Sequence, residues 1–349
     1  MTVKMLARLM LVCFCASLLT GCGGGHKDIN KRLLPVIMGI SEGDKENFKV
    51  ILRIPQPGEK KFRVIEAEAP TISKAFDIMR TKAEVSIDLL HLKLVLLTES
   101  IAQKGIKDIT EYAFRSREIS PKVLVAIAEG LESLMADQRA TNVGAAAFDF
   151  FSREAGWTPN ISIVPLWKAF RSLNSETEDV AIPIISKGVD TLFDFHGSAM
   201  MRKDRMVARI SRDETLIYNL FEGLFIGGIV EVTDQASVTV VKTTVSNHAA
   251  WKDVPRLRSE MKMSVVIEEE KGNPTEEEIK KGLEAVIRKR FEQLMKKTQA
   301  QKSDILGLGQ YFTNRMTDQQ RSHWKEEWFP KLKHEFTLEI NIRNTGNLR

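Results

Sequence analysis

All three cysteines of this 349-residue chain, Cys13, Cys15 and Cys22, fall within its first 22 residues. Whatever folds after them has no thiol, so a disulfide framework and a cysteine-based zinc site are both excluded from the body. The fold must then be held together by its apolar core. Hydrophobic residues at 43% and charged residues at 28% can supply one, in proportions that exclude both a multi-span membrane protein and a disordered chain. At ~100–200 residues per domain, the length calls for two or three domains. The 51 Lys and Arg against 46 Asp and Glu leave only +5, spread along the chain, which does not suit a dedicated nucleic-acid binder.

The cysteines sit in a segment with its own chemistry. Lys4 and Arg8 form a positive start and Leu9 to Leu19 an apolar run, the layout of a secretory signal. The run is shorter than the ~20 residues that cross a bilayer. Leu19-Thr20-Gly21-Cys22 closes it and resembles the bacterial lipobox. That resemblance implies a diacylglycerol thioether on Cys22, cleavage immediately before it, and an N-acyl chain such as palmitate on the new terminus. Residues 1–21 are then a lipoprotein signal peptide and residues 22–30 a lipidated tether, with Gly23-Gly24-Gly25 as its flexible part. The alternative is an ordinary signal peptide that leaves Cys22 as a free thiol. Loss of Lys4 and Arg8 lowers the formal charge from +5 to +3. Acyl chains, at about 0.8 kcal/mol per buried CH₂, would therefore carry the attachment to membrane lipid.

Residues 31–180 read as an N-terminal α+β region. Leu33 to Ile40 and Phe48 to Ile54 flank a polar turn and predict an antiparallel pair, with Phe62 to Ala69 as a third strand. Ile72, Ala75, Phe76 and Met79 share one helical face behind a Thr71 cap. Leu90 to Leu97 is apolar on both alternations, which predicts a central strand containing His91 as a core histidine. A helix over Ser100 to Ser116 then leads to a strand from Val123 to Ala128. Broken helix follows from Leu131 to Leu173. Asn174 to Asp179, acidic and poor in apolar residues, predicts a linker.

Residues 181–349 read as a C-terminal α+β domain. Strands near Leu192 to Met201 and Met206 to Ile210 and a helix over Glu214 to Phe221 precede β segments at Phe225 to Val232, Ser237 to Val245 and Arg256 to Glu268. Thr275 and Glu278 have capping-box spacing, and Ile279, Leu283, Val286, Ile287, Phe291 and Leu294 form an apolar stripe. The chain closes on the alternation His334, Phe336, Leu338, Ile340, Ile342, a strand with one wet face. The fold class is therefore α+β and multi-domain. Mixed or antiparallel sheets are each packed with helices, and a long amphipathic helix lies near the C-terminus.

No catalytic constellation emerges. The six histidines never stand at the i, i+3 or i+4 spacing of a helical metal pair. Gly307-Leu308-Gly309 lacks the remainder of a phosphate loop, and Gly197-Ser198-Ala199 lacks the nucleophile-elbow spacing. The runs Glu268 to Glu270 and Glu276 to Glu278 suit a solvated strand end and a helix N-terminus. Trp324, Trp328 and Phe329 have the spacing of a helix packed onto its domain. The residues point to a non-enzymatic protein with no metal and no cofactor other than the lipid on Cys22.

Two stretches carry a more specific likeness. Residues 88–119 resemble the N-terminal domain of the Ger(x)C family, the C subunits of nutrient germinant receptors in endospore-forming bacteria. The points of likeness are His91-Leu92, Glu99, Ala102, Gly105, Arg115 and Glu118-Ile119. Lys302-Ser303-Asp304-Ile305-Leu306-Gly307-Leu308-Gly309 and Ile342-Arg343-Asn344-Thr345-Gly346 are similar to the family's C-terminal segments. Phe195-His196-Gly197-Ser198-Ala199, Lys203-Asp204 and Glu214-Thr215 match the hairpin before them. Met200-Met201-Arg202 and residues 136–160 depart from the pattern. The resemblance implies a lipoprotein on the outer face of the spore inner membrane, partnered with a channel-like A subunit and a transporter-like B subunit. It implies no enzymatic activity. A lipid-anchored C subunit needed for receptor assembly is the function it suggests. The alternative is a solute-binding lipoprotein that captures the germinant itself, which would need a pocket with convergent polar groups.

Overall fold

The structure, a computed structural model, describes Met10 and residues 31–56, 61–138, 149–152, 158–224, 228–232 and 236–343. The expected signal peptide over residues 1–21, Cys22 and the expected tether lie outside the described residues, apart from Met10. β1 (Arg32–Leu33) is followed by the expected antiparallel pair, β2 (Ile37–Glu42) and β3 (Phe48–Pro55), and β4 (Phe62–Ala69) joins β3. The helix Ile72–Lys82 starts where Thr71 accepts a hydrogen bond from the Lys74 amide, and it buries the four apolar residues of its stripe. β5 (Ser86–Ile87) pairs in parallel with β1. β6 (Leu94–Thr98), the helices Glu99–Lys104 and Lys107–Arg115, and β7 (Leu124–Glu129) complete this part.

Two local expectations fail here, each for a local reason. β6 begins at Leu94, and His91 lies exposed in a 3-10 turn, Leu89–His91, rather than inside a strand. The Asp88 carboxylate accepts from the Leu90 amide and from Arg32 Nη1, so a capped turn displaces the apolar alternation. The single helix expected over 100–116 is broken at Gly105. Its φ of 140° requires glycine, and Asp204 Oδ2 stands 2.7 Å from where a Cβ would be. Ile106 then donates to the Asp204 carbonyl.

β8 (Ala181–Lys187), β9 (Phe193–Arg202) and β10 (Arg205–Ile210) extend the same sheet, whose order is β10-β9-β8-β7-β6-β2-β3-β4. Its centre, β2, β6, β7 and β8, is parallel. Met38, Leu52, Val95 and Ile127 pack on one face beneath the helices, and Ile37, Leu94, Leu96 and Phe195 pack on the other with Leu131 and Leu134. Coverage on both faces explains why these strands are continuously apolar. Strands on either side of residue 180 share this sheet, so main-chain hydrogen bonds, not a free linker, join the two halves. Thr177, Glu178 and Asp179, expected in a linker, are buried.

The rest of the chain builds a second sheet. The helix Arg212–Phe221 carries a Ser211/Glu214 capping box. β11 (Gly228–Val232), β12 (Ala236–Trp251), β13 (Pro255–Glu270) and β14 (Lys333–Ile342) lie in that order, with β14 parallel to β13. Residues 225–227, expected in the first of these strands, are not among the described ones. The long helix Glu276–Ala300 has the predicted Thr275/Glu278 capping box and forms part of the crossover between β13 and β14. Its stripe packs on Leu257, Met261, Met263 and Val265 from the inner sheet face, while Arg256, Arg258 and Lys262 point to solvent.

His334 lies on that inner face. Its Nε2 is 2.7 Å from Ser259 Oγ and its ring meets the Phe291 ring edge-on at 4.9 Å. Burial pushes its imidazole down to about 4, so it stays neutral in the folded chain at pH values where the unfolded chain is protonated. Stability from this group is complete above about pH 6.5 and is lost as pH falls toward 4, by as much as about 3 kcal/mol. Urea midpoints should therefore fall more steeply between those pH values for the native chain than for His334→Gln; parallel slopes would contradict this.

Candidate functional site

The segment 302–309, singled out by its sequence, closes the joint between the two sheets. The long helix ends at Ala300, Lys302 takes a φ of 52°, and Ser303 Oγ donates to the Met201 carbonyl on β9 at 2.6 Å. Asp304 follows, fully buried. Its Oδ1 accepts from the Leu308 amide at 2.9 Å; its Oδ2 accepts from the Gly309 amide at 2.7 Å and from Trp324 Nε1 at 2.8 Å. The chain thus curls around its own carboxylate. Gly307, with φ 62°, makes the curl, and a Cβ on Gly309 would stand 2.5 Å from Trp324 Nε1.

Asp179 meets this loop from the other half. Its amide donates to the Asp304 carbonyl at 2.8 Å, and its Oδ2 accepts from the Asp304 amide at 3.0 Å. Its Oδ1 accepts from the Lys203 amide at 2.7 Å and from Lys325 Nζ at 2.6 Å. The Lys325 ammonium spends its other donors on the carbonyls of Ser175 and Glu178, both at 2.9 Å. All three of its N–H groups are thereby used. Burial pushes Asp304 up to about 7, with Asp179 adding to the rise and the three N–H donors opposing it. Burial also raises Asp179, against the pull of Lys325 and the two amides.

Two further links tie the halves together. Lys168 Nζ, buried, donates to Tyr218 Oη at 2.9 Å and to Glu222. Burial works against the Lys168 charge, but Tyr218 and Glu222 outweigh it and hold its pKa above the ordinary lysine range; burial lifts Tyr218 to about 12. Arg209 on β10 forks to Glu99 and Glu129, which stand at the C-terminal ends of β6 and β7. Trp324 and Phe329 are fully buried, with Trp324 against Phe312 at 5.3 Å and Phe329 at 6.1 Å, so the aromatic cluster packs the domain as its spacing predicts.

This arrangement can hold and orient; its donors and acceptors are engaged with one another. Ser198 Oγ shares hydrogen bonds with Ser162 and Thr215 hydroxyls, with no imidazole among its partners. Among the described residues no three His, Asp or Glu side chains are grouped to hold a metal. A cleft of about 460 Å³ opens between Phe48, Ile72, Tyr112 and the Glu111–Arg115 pair, whose charges meet at 2.6 Å. Cys22, the lipid-attachment residue expected from the sequence, lies outside the described residues. Sequence reading missed Lys325 and Lys168 as buried cations and placed Asp179 in a linker. The visible signal was an aspartate followed at short range by Gly-x-Gly, a backbone able to wrap a carboxylate.

Removal of Lys325 leaves the Asp179 carboxylate buried without its cation. Lys325→Met should destabilise the chain by about 3–5 kcal/mol, read by urea unfolding, and Asp179→Asn in the same chain should recover part of it. A single-variant loss below about 1 kcal/mol, the range of a surface pair, would show that the joint does not depend on this contact.

The comparisons with known proteins match the chain in two successive segments. Residues 25–187 match the family model described as "Spore germination protein N-terminal domain", and residues 196–346 match "Spore germination B3/GerAC like, C-terminal". The putative spore germination protein YfkR of Bacillus subtilis is 25% identical over 91% of this chain and 90% of its own. Spore germination protein GerQC of Bacillus cereus is 22% identical over 88% of this chain and 89% of its own. The crystal structure of the GerBC protein shares the fold, with a TM-score of 0.58 at 18% identity over 88% of this chain and 97% of that one. Both family segments, in order and spanning nearly all of the folded body, identify the chain as a member of the Ger(x)C family of spore germination proteins.

Proposed function

We propose that this protein is the lipid-anchored, non-catalytic C subunit of a nutrient germinant receptor, held by acyl chains on Cys22 to the outer face of the spore inner membrane. There it positions the A and B subunits of the receptor. The observation that carries this reading is the match of both germination segments across one continuous body that follows a lipobox. The internal chemistry supports it, because the buried charges are spent on holding the two halves in one geometry, as a scaffold requires. Tethering contributes directly. Confinement to the bilayer turns association with membrane partners into a nearly intramolecular event, with effective concentrations on the order of mM for a short flexible link. Germinant capture by this subunit is less well supported, because Glu111 and Arg115 in the cleft of about 460 Å³ pair with each other.

Cys22→Ala should move the protein from the membrane to the soluble fraction and reduce nutrient-triggered germination while leaving its melting temperature unchanged. Undiminished germination with a fully soluble protein would defeat the proposal. Tight, saturable binding of a nutrient in calorimetry would favour capture instead.

A further inference from the structure

We propose that one end of the eight-stranded sheet, the end at which residue 31 enters, is the face this protein lays against an anionic lipid bilayer. The inference rests on the reading that Cys22 is acylated, and it specifies the orientation that the anchor imposes.

Reach selects the end. Nine peptide steps separate Cys22 from Lys31, and at ~3.3–3.6 Å per residue they span at most about 30 Å. The entry point is fixed, because β1 pairs with β5 and Arg32 Nη1 binds Asp88 at 2.7 Å. Ile37, Leu94 and Leu124 are in register, so the parallel strands β2, β6 and β7 all begin at this end. The turns that feed them, 83–93 and 116–123, lie beside the entry.

Composition then selects the partner. Leu90 is 60% exposed in one of these turns. Trp167, 43% exposed, stands beside another, its amide donating to the Pro121 carbonyl at 3.0 Å. Lys31, Lys82, Arg117 and Lys122 are exposed around them. Among the described residues the acids around these turns, Glu84, Asp88 and Glu118, are each bound by an arginine: Arg63, Arg32 and Arg80. The excess charge is therefore positive. A tryptophan, a protruding leucine and a group of lysine and arginine side chains are what a headgroup layer receives, the ring and alkyl groups at the interface and the cations on lipid phosphates. The wet face of the second sheet differs, since there Arg258 pairs with Glu260 and Lys262 with Glu339.

The test uses the full acylated protein in vesicles of phosphatidylcholine and phosphatidylglycerol. Leu90→Cys and, as a control on the wet face of the second sheet, Thr244→Cys are each labelled with an environment-sensitive fluorophore. A headgroup spin-labelled lipid should quench the label at 90 several-fold more than the label at 244. Lys82→Glu with Lys122→Glu should reduce that difference. Equal quenching at both positions in a protein that still floats with the vesicles overturns this orientation and leaves the anchor intact. Quenching at 90 that appears only when membrane proteins are added assigns the face to a protein partner and also overturns it. A chain that carries no acyl group on Cys22 by mass spectrometry overturns the anchoring reading, and this proposal with it.

Discussion

The ammonium of Lys325, buried with each of its three N–H groups on a protein acceptor, fixes how the two sheets of this chain meet. Taking an ion pair out of water costs several kcal/mol per charge, so the contact with Asp179 adds little net stability. Its effect is selective. Any other docking of the second sheet would take Lys325 from its acceptors and leave the Asp179 carboxylate buried without its cation, so misdocked arrangements are penalised far more than the native one is rewarded. Asp304 extends the same rule. Its two oxygens receive three N–H groups, and its own amide and carbonyl return to Asp179. A fully satisfied buried network of this kind rigidifies.

That rigidity bears on the membrane anchoring proposed for Cys22. The eight-stranded sheet takes in β1's neighbour β2 near residue 31 and passes through β8 and β9 into the joint, so the start of the described body and the second sheet are joined through continuous structure. If Cys22 is acylated as proposed, a lipid at that end would set the height and tilt of surfaces on the second sheet far from it. Were the two halves joined by a free linker, tethering would raise local concentration without orienting anything.

How much of this is legible in the sequence depends on the range of each interaction. The long helix is readable because its cap, Thr275 with Glu278, and its stripe from Ile279 to Leu294 are local. The β2–β3 pair is readable for the same reason. The turn at His91 is not, since the Asp88 cap that makes it competes with an equally regular apolar alternation. Residues 174–179 mislead most. Their acidity suggests solvation, but the cation that neutralises Asp179 stands 146 positions away. Gly307-Leu308-Gly309 looks like an incomplete phosphate loop when read alone, and the anion it wraps proves to be Asp304 of the same chain. Cys22 is the converse, a residue for which only the sequence proposes a chemistry, through the lipobox-like run that it closes.

Native-state hydrogen exchange tests the central claim, that the joint makes the two halves one cooperative body. The amides of Asp179, Lys203, Asp304, Leu308 and Gly309, each hydrogen-bonded within the joint, should exchange only through global unfolding, with the free energy and denaturant dependence of the amides in β6 and β13. Exchange of those five amides at a lower free energy, with little dependence on denaturant, would show that the halves separate while each remains folded.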